Sequence, residues 1–314
     1  MLNFLLRRSI ETIVVIFTVT FISFLLLHMI PGDPAVTMLG TEASIEEIDA
    51  LRQELWLDRP FIVQYVHWLF NALRGDLGKS IAYHDPLVEL FSKRLPITCY
   101  LAFWAFMIST VAGISAGIFC AIRRGSVLDQ VVSLCANIGF AIPIFWLGIL
   151  GIYLFGLKLN LLPIQGYTSP FTDFVTSSRQ AFMPVILLAI PSVAIMARQT
   201  RSSMLEVVMQ DYIRTAHAKG LSERMVVLKH SLKNALIPVV TLMGLQVRLL
   251  VGGSVLVETI FNIPGMGRLL VNAAFNKDFL IVQGGVLLIG VVVCLVNLLV
   301  DISYGWLDPR VRYG

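Results

Sequence analysis

The chain has 314 residues, of which 57% are hydrophobic and only 14% are charged, and its formal net charge is +4. A soluble domain of this size needs much more charge to cover its surface, so the composition excludes an ordinary soluble protein. The basic residues are spread over several loops without interleaved aromatic residues, which excludes a nucleic-acid-binding surface.

Six apolar runs are long enough to cross about 30 Å of hydrocarbon as helices. We therefore expect an all-α integral membrane protein with six transmembrane helices. No small-x-small cleavage site follows the first run, so we expect an uncleaved anchor there. The runs lie at about 9–30, 97–122, 131–157, 182–201, 235–257 and 279–300.

These runs divide the chain into three predicted parts: the N-terminal end with the first span (1–30), a large loop region (31–96) and a five-helix core (97–314). The core contains a polar loop at 202–234. Basic residues in short loops mark the cytoplasmic side of a membrane protein. Arg123, Arg124 and the basic region 198–233 therefore place this polar loop and both termini in the cytoplasm, and 31–96 outside.

Two short helices are predicted in the external region. Ser44 and Glu47 form a capping-box pattern that begins an amphipathic helix near 45–57. A second helix near 61–73 carries several aromatic side chains. Two compatible interpretations remain open: a small cap that packs on the bundle or lies at the lipid interface, and a surface that meets an external donor of substrate.

The string GDLGKS at 75–80 has two residues, rather than four, between its first glycine and the Gly-Lys pair. It is therefore not a phosphate-binding loop, and we expect no ATP binding by this chain itself. The five histidines are scattered without metal-ligand spacing, so we expect no metal site. The four cysteines, Cys99, Cys120, Cys135 and Cys294, all fall in predicted spans, where we expect buried apolar side chains rather than disulfides.

Several residues are expected to shape the spans. Gly113 and Gly117 permit a close helix–helix contact. The serine between them matches a Gly-x-Ser-x-Gly nucleophile pattern, but it lies mid-helix, so we expect no catalysis there. Prolines within spans favour kinks. These prolines are Pro143, Pro184, Pro191 and Pro238.

Arg248 lies near the middle of the fifth span, close to Gln246. Charged groups inside a membrane are costly and usually functional. One interpretation places both residues on a translocation path, where Arg248 meets a substrate carboxylate. The other pairs Arg248 with an acidic or carbonyl group of a neighbouring helix or subunit. We favour the path.

Residues 211–233, which we call the helical pair, form a polar island between two apolar spans. The sequence predicts two short helices joined at Gly220, which can end the first helix in the left-handed conformation. Asp211 is expected to cap the first helix, and Ser222 the second. A small basic helix–turn–helix at one membrane face predicts a docking element for a soluble partner.

The helical pair resembles the loop that permease subunits of ABC importers present to their ATPases, within the dipeptide/oligopeptide/nickel group. That loop carries a Glu-Ala-Ala-x-x-x-Gly pattern; aligned on Gly220, this chain has Arg214 in place of the glutamate. The group's own strings match better: DYIRTAHAKGL at 211–221 and KHSLKNALIP at 229–238. Further matching strings are HMIPGDP at 28–34, GDLG at 75–78, RSSMLEV at 201–207, ETIFNIPGMGRLL at 258–270 and DPR at 308–310.

The resemblance implies a type I ABC importer permease-like bundle with a cytoplasmic coupling helix, in a bacterial inner membrane. It implies a second homologous permease in a heterodimer, two cytoplasmic ATPase subunits that bind ATP and magnesium, and a periplasmic or extracellular solute-binding protein. This chain would hold no cofactor, would not be an enzyme, and would contact lipid but no nucleic acid. The residues assigned to ATPase coupling are Arg214, Thr215, Ala216, Lys219, Gly220, Leu221 and Arg224, with Ala216 and Gly220 permitting close packing in the ATPase groove.

Short peptides are the favoured substrate from the resemblance, while glutathione, opine-like compounds and nickel chelates stay open. Two other classes of protein were weighed. A secondary transporter would show inverted repeats and clustered ionisable groups in broken spans, and no internal repeat is found. An intramembrane hydrolase would need a serine–histidine or metal pair at depth, which the sequence lacks.

Overall fold

The structure is a computed structural model that describes residues 2–29, 33–40 and 43–307. Residues 30–32 of the HMIPGDP string and the whole DPR string at 308–310 lie outside the described residues. The side chain of Arg224 is not described either. The helices of the N-terminal half are α1 (Leu2–His28), α2 (Pro34–Leu39), α3 (Ile45–Glu54), α4 (Phe61–Leu73), α5 (Leu87–Ile122), α6 (Val127–Ala141) and α7 (Ile144–Gly151). A π-helical segment, π1 (Ile152–Lys158), continues α7.

The C-terminal half is also helical. Its elements are α8 (Phe174–Val208), α9 (Asp211–Ala218), α10 (Glu223–Met225), the π-helical segment π2 (Val226–Ser231), α11 (Leu232–Ile260), α12 (Met266–Phe275) and α13 (Phe279–Leu307). The expected all-α architecture is therefore confirmed for the described residues.

Five helices in the described part are long and apolar enough to cross a membrane, and a sixth span results if a bent pair is counted as one. That pair is α6 with α7–π1, and its two halves meet at 100°. The break falls at Ile142 and Pro143, which both have extended backbone. Proline disfavours helical backbone in the residue before it and cannot donate a helical hydrogen bond. The kink expected at Pro143 is thus a sharp bend, whereas the other three span prolines lie within continuous helices.

The described part of the chain forms two compact units, and the first comprises residues 99–263 and 296–307. Its central helix is α8. In the most apolar stretch of α8, 61% is buried, whereas 28% of the corresponding stretch of α5 is buried. The expected close contact of Gly113 is confirmed: a Cβ there would lie 2.4 Å from the Cβ of Met196 on α8. A Cβ at Gly117 would lie 2.6 Å from the carbonyl oxygen of Ala197.

A bidentate ion pair fixes α6 to α8 in this unit. The Nε and Nη2 atoms of Arg201 each donate to a carboxylate oxygen of Asp129 at 2.8 Å. The same carboxylate accepts the backbone N–H of Gly125, in the turn between α5 and α6, at 3.0 Å. Paired guanidinium–carboxylate bonds fix orientation as well as distance, so this contact ties the α5–α6 turn to α8 seven residues before α8 ends.

The second unit comprises the described residues within 2–98, together with 264–295. Its apolar core is built from α5, α12 and α13, and Asp278 holds the 80–82 turn to the start of α13. One oxygen of Asp278 accepts the Ser80 hydroxyl at 2.7 Å and the backbone N–H of Ile81 at 3.1 Å. The core residues are Leu87, Leu90, Phe91, Met266, Leu269, Ala273 and Ile281.

The two predicted helices of the 31–96 region are present in this unit as α3 and α4. Ser44 and Glu47 form both bonds of the expected capping box. Helix α4 packs on α1 through Tyr65, whose ring makes edge contacts with Phe17, Phe21 and Phe24 of α1. This part of the region is therefore packed on the first span.

Candidate coupling site and transport path

The first helix of the helical pair, α9, has its N-cap at Gln210, one residue before the N-cap that the sequence predicted. Gln210 has the extended backbone of an N-cap residue, and Asp211 is the first helical residue. The prediction that Asp211 caps this helix is therefore wrong. The carboxylate of Asp211 lies in the first turn, where a negative charge interacts favourably with the helix dipole. It also forms an exposed ion pair with Arg214 at 3.5 Å.

Gly220 ends α9 in the left-handed conformation, as predicted, with φ of +75°. Its backbone N–H donates to the carbonyl of His217 at 2.9 Å, and that of Leu221 to the carbonyl of Ala216 at 3.4 Å. A Cβ built at Gly220 meets no atom within 4 Å. Within this chain the glycine is thus needed for its backbone conformation, not for close packing.

The second half of the helical pair is not a separate short helix. Ser222 occupies the N-cap position, but its side chain makes no capping bond. From Glu223 the chain stays helical through α10, π2 and α11 to Ile260. No glycine and no proline interrupts residues 223–237, so nothing ends the helix before the fifth span. The hydroxyl of Ser231 donates to the carbonyl of Val226 at 3.1 Å across the π-helical segment.

The inner face of the helical pair is apolar and continuous with three spans. Ile213, Ala216 and Val226 form one buried cluster, packed against Val207 of α8. Val207 also packs against a second cluster that joins the ends of α5, α8 and α11. The second cluster consists of Met204, Val227 and Ala235 with Ile118, Ala121 and Leu232 around it.

The residues assigned to coupling separate into two sets. Arg214, Thr215, Lys219 and Gly220 are exposed on the outward side. Leu221 is half-buried. Ala216 is buried against the inner cluster, so its expected packing in an ATPase groove stays a prediction.

On α11, Gln246 and Arg248 point in different directions. Gln246 is 1% exposed. Its Nε2 atom donates to the backbone carbonyl of Ser192 on α8 at 2.9 Å. Arg248 is exposed, and no hydrogen bond or ion pair of its side chain is found among residues 2–29, 33–40 and 43–307. An exposed row at helical spacing includes Arg248 and consists of Thr241, Leu245, Arg248, Gly252, Leu256 and Thr259.

The sequence reasoning missed the Asp129–Arg201 pair and the anchoring role of Gln246. A signal for the first was present, because Asp129 is the only charged residue between 126 and 157. A lone acid in an apolar run requires a partner. The partner itself was not readable, because Arg201 lies more than 70 residues away in the sequence.

Comparison with known proteins places the chain among transport permeases. Residues 113–313 match the family described as "Binding-protein-dependent transport system inner membrane component", and residues 1–102 match the corresponding N-terminal family. A probable peptide ABC transporter permease protein of Sinorhizobium fredii is 41% identical over 310 residues, covering 99% of both chains. The dipeptide transport system permease protein DppB of Escherichia coli K12 is 40% identical, covering 100% of this chain and 99% of its own.

A solved structure of the MetNI methionine ABC transporter, in inward-facing conformations, resembles the fold. It has a TM-score of 0.54 and 20% identity, and the match covers 70% of this chain and 96% of the MetNI chain. At that identity the likeness concerns the fold alone.

Proposed function

The chain belongs to the family of binding-protein-dependent transport system inner membrane components, and from that premise we propose how it couples ATP hydrolysis to transport. It is a multi-pass permease of an ABC importer of the peptide class. The helical pair faces the cytoplasm and docks on an ATPase subunit. The rest of the chain supplies half of the path, opposite a homologous permease. A solute-binding protein delivers the peptide from outside.

The observation that carries this proposal is the continuity of the apolar clusters around Val207. A docking element transmits movement only if it moves with the spans. Well-packed interiors are stiff and switch between discrete arrangements. The inner face of α9 packs on Val207, and the cluster at the ends of α5, α8 and α11 packs on the same residue. A force on the outward face of α9 is therefore transmitted to α8 and α11. The helix from Glu223 to Ile260 carries the same push along the fifth span.

The test uses two exposed alanines that each lie at the C-terminal end of a short helix. Ala218 ends α9, and Ala274 lies in the last turn of α12, outside the proposed docking face. Ala218→Arg places a long cation at the docking face without entering the chain's own core. In proteoliposomes that contain the whole importer, A218R is expected to lose most ATP-driven dipeptide uptake, while A274R retains it.

Co-purification of the ATPase subunits separates two ways in which A218R can act. Loss of the ATPases, or retained ATPases with uncoupled hydrolysis, both support docking at this face. Uptake equal to that of A274R, with the ATPases bound, contradicts it. Ala216→Arg is a poorer test, because it would bury a charge inside the chain's own cluster.

We place Arg248 on the path and assign Gln246 to anchoring α11 beside it. An exposed guanidinium on a spanning helix suits the C-terminal carboxylate of a peptide. Arg248→Gln is therefore expected to raise the KM for a dipeptide about tenfold, which corresponds to about 1.4 kcal/mol. The KM for the C-terminally amidated dipeptide should stay within about twofold, and Arg248→Lys should preserve most of the difference. Equal effects on both substrates would contradict this role.

A further inference from the structure

A groove of about 320 Å³ lies in the first unit among α5, α6 and α8. Its lining is apolar except for the thiol of Cys135. Small residues leave the space open where larger ones would fill it. They are Ala116, Ala136, Gly139, Ala189, Ala194 and Ala197.

The groove is open to the surface of the unit, because two of its lining residues, Val131 and Cys135, are exposed. All of its lining residues belong to helices of apolar, membrane-spanning composition. Hydrocarbon is the matching occupant of such a groove.

A cation lies beside the groove. Ile190, Ala194 and Arg198 form one row on α8 at a spacing of four residues, and the first two line the groove. Arg198 is exposed, and its guanidinium carbon lies 5.6 Å from the centre of the Phe140 ring on α6. Phe140 follows Gly139, another lining residue.

Arg198 lies at the end of the fourth span, where the basic region 198–233 begins, and a long cationic side chain at such a position reaches the level of the lipid head groups. Its cation–π contact with Phe140 is exposed and does not use the hydrogen-bond donors of the guanidinium. Within the described part of the chain, Arg198 forms no hydrogen bond or ion pair with its side chain. Its donors therefore suit an anion that this chain does not supply.

The turn between α5 and α6 adds positive charge. Arg123 and Arg124 are exposed there, next to the residues that Asp129 ties to α8. Basic pockets between spanning helices attract anionic lipid head groups. A guanidinium donates two parallel bonds to a phosphate.

We propose that this groove binds an anionic glycerophospholipid, with an acyl chain between α6 and α8 and its phosphate on Arg198. The lipid would fix the distance between the two helices that Asp129 and Arg201 join at one end. This site is separate from the coupling face and from Arg248.

Native mass spectrometry of the purified, delipidated importer tests the proposal. The probes are dioleoylphosphatidylglycerol and dioleoylphosphatidylcholine, which share acyl chains and differ in net head-group charge. The unsubstituted complex is expected to bind the first about tenfold more tightly, equivalent to about 1.4 kcal/mol. Arg198→Gln should remove that preference while leaving weak binding of both lipids, and Ala194→Phe, which fills the groove, should reduce both.

Arg74→Gln is the matched control, because Arg74 is also exposed and its guanidinium carbon lies 4.0 Å from the centre of the Phe70 ring. It should keep the preference for phosphatidylglycerol. Equal binding of the two lipids to the unsubstituted complex overturns the proposal. An unchanged preference in R198Q overturns it as well. Should A194F fail to fold, R198Q alone decides.

Discussion

The helical pair and helix α3 are both short polar elements outside the spans, yet they are held in opposite ways. The helical pair buries Ile213 completely and shares its apolar cluster with the ends of spans. Helix α3 buries none of its residues. It is held by the Ser44 capping box and by ion pairs of Arg52 with Asp33 and Asp49. An element that transmits movement is packed by side chains, whereas one held by polar contacts at its ends can shift without disturbing a core.

The largest expected difference between the two regions comes from the same substitution in each. Ile213→Ala removes a side chain that is 0% exposed and should lower the stability of the helical pair by about 2–5 kcal/mol. Ile45→Ala removes one that is 78% exposed and should change stability by less than about 0.5 kcal/mol. Thermal unfolding of the purified complex, together with its coupled ATPase activity, measures both. Equal effects would remove the distinction between the regions.

Helix α4 is an intermediate case, because a polar but buried side chain, Gln64, connects it to α1. Gln64 is 8% exposed, donates to the carbonyl of Arg59 at 2.7 Å, and lies 2.9 Å from Nε2 of His28 on α1. Gln64→Leu leaves these partners unsatisfied, which should cost about 1–3 kcal/mol. Gln53→Leu on α3 is the exposed control and should be nearly neutral. Hydrogen exchange of the α4 amides distinguishes the two variants. Unchanged exchange in Q64L would mean that the aromatic contacts of α4 with α1 are sufficient to hold α4.

The smallest expected effect concerns the start of α3. Ser44→Ala removes the hydroxyl that accepts the backbone N–H of Glu47, while the backbone N–H of residue 44 can still donate to the Glu47 carboxylate. The substitution should speed exchange of the first α3 amides about fivefold, equivalent to ~1 kcal/mol for a serine cap. The backbone N–H and hydroxyl of Ser44 donate to Glu47 and lower the pKa of its carboxyl. The bonds to the Glu47 carboxylate are therefore present at neutral pH and are lost as the pH falls through that lowered pKa, whereas the bond from the Glu47 backbone N–H to the Ser44 hydroxyl remains. Unchanged exchange of these amides in S44A would contradict a stabilising role of the cap.

Local signals in the sequence were sufficient for features that depend on a few neighbouring residues. The capping box of α3, the bounds of α4 near 61–73, the left-handed Gly220 and the close contact of Gly113 are all present. The two errors at the helical pair have different causes. The predicted N-cap was one position too late, because glutamine is not among the preferred N-cap residues whereas aspartate is.

Features that depend on distant residues could not be read in the same way. The continuity from Glu223 into α11 is a different case, because the absence of glycine and proline from 223–237 was a local signal that the prediction overlooked. The direction of Gln246 depends on the carbonyl of Ser192, 54 residues earlier. The burial of Ala216 follows from the fold of the helical pair onto α8, which periodicity alone does not specify.

The central claim is that the helical pair moves as one body with the fifth span. Spin labels at Lys219→Cys and Lys233→Cys, with the four native cysteines replaced, report the distance between the two halves of the pair within the complete importer. A second label pair, Phe171→Cys with Lys233→Cys, reports movement of the fifth span against the loop before α8. Between the nucleotide-free and ATP-vanadate-trapped states, the account predicts an unchanged 219–233 distance and a changed 171–233 distance. A shifted 219–233 distance with an unchanged 171–233 distance would contradict it.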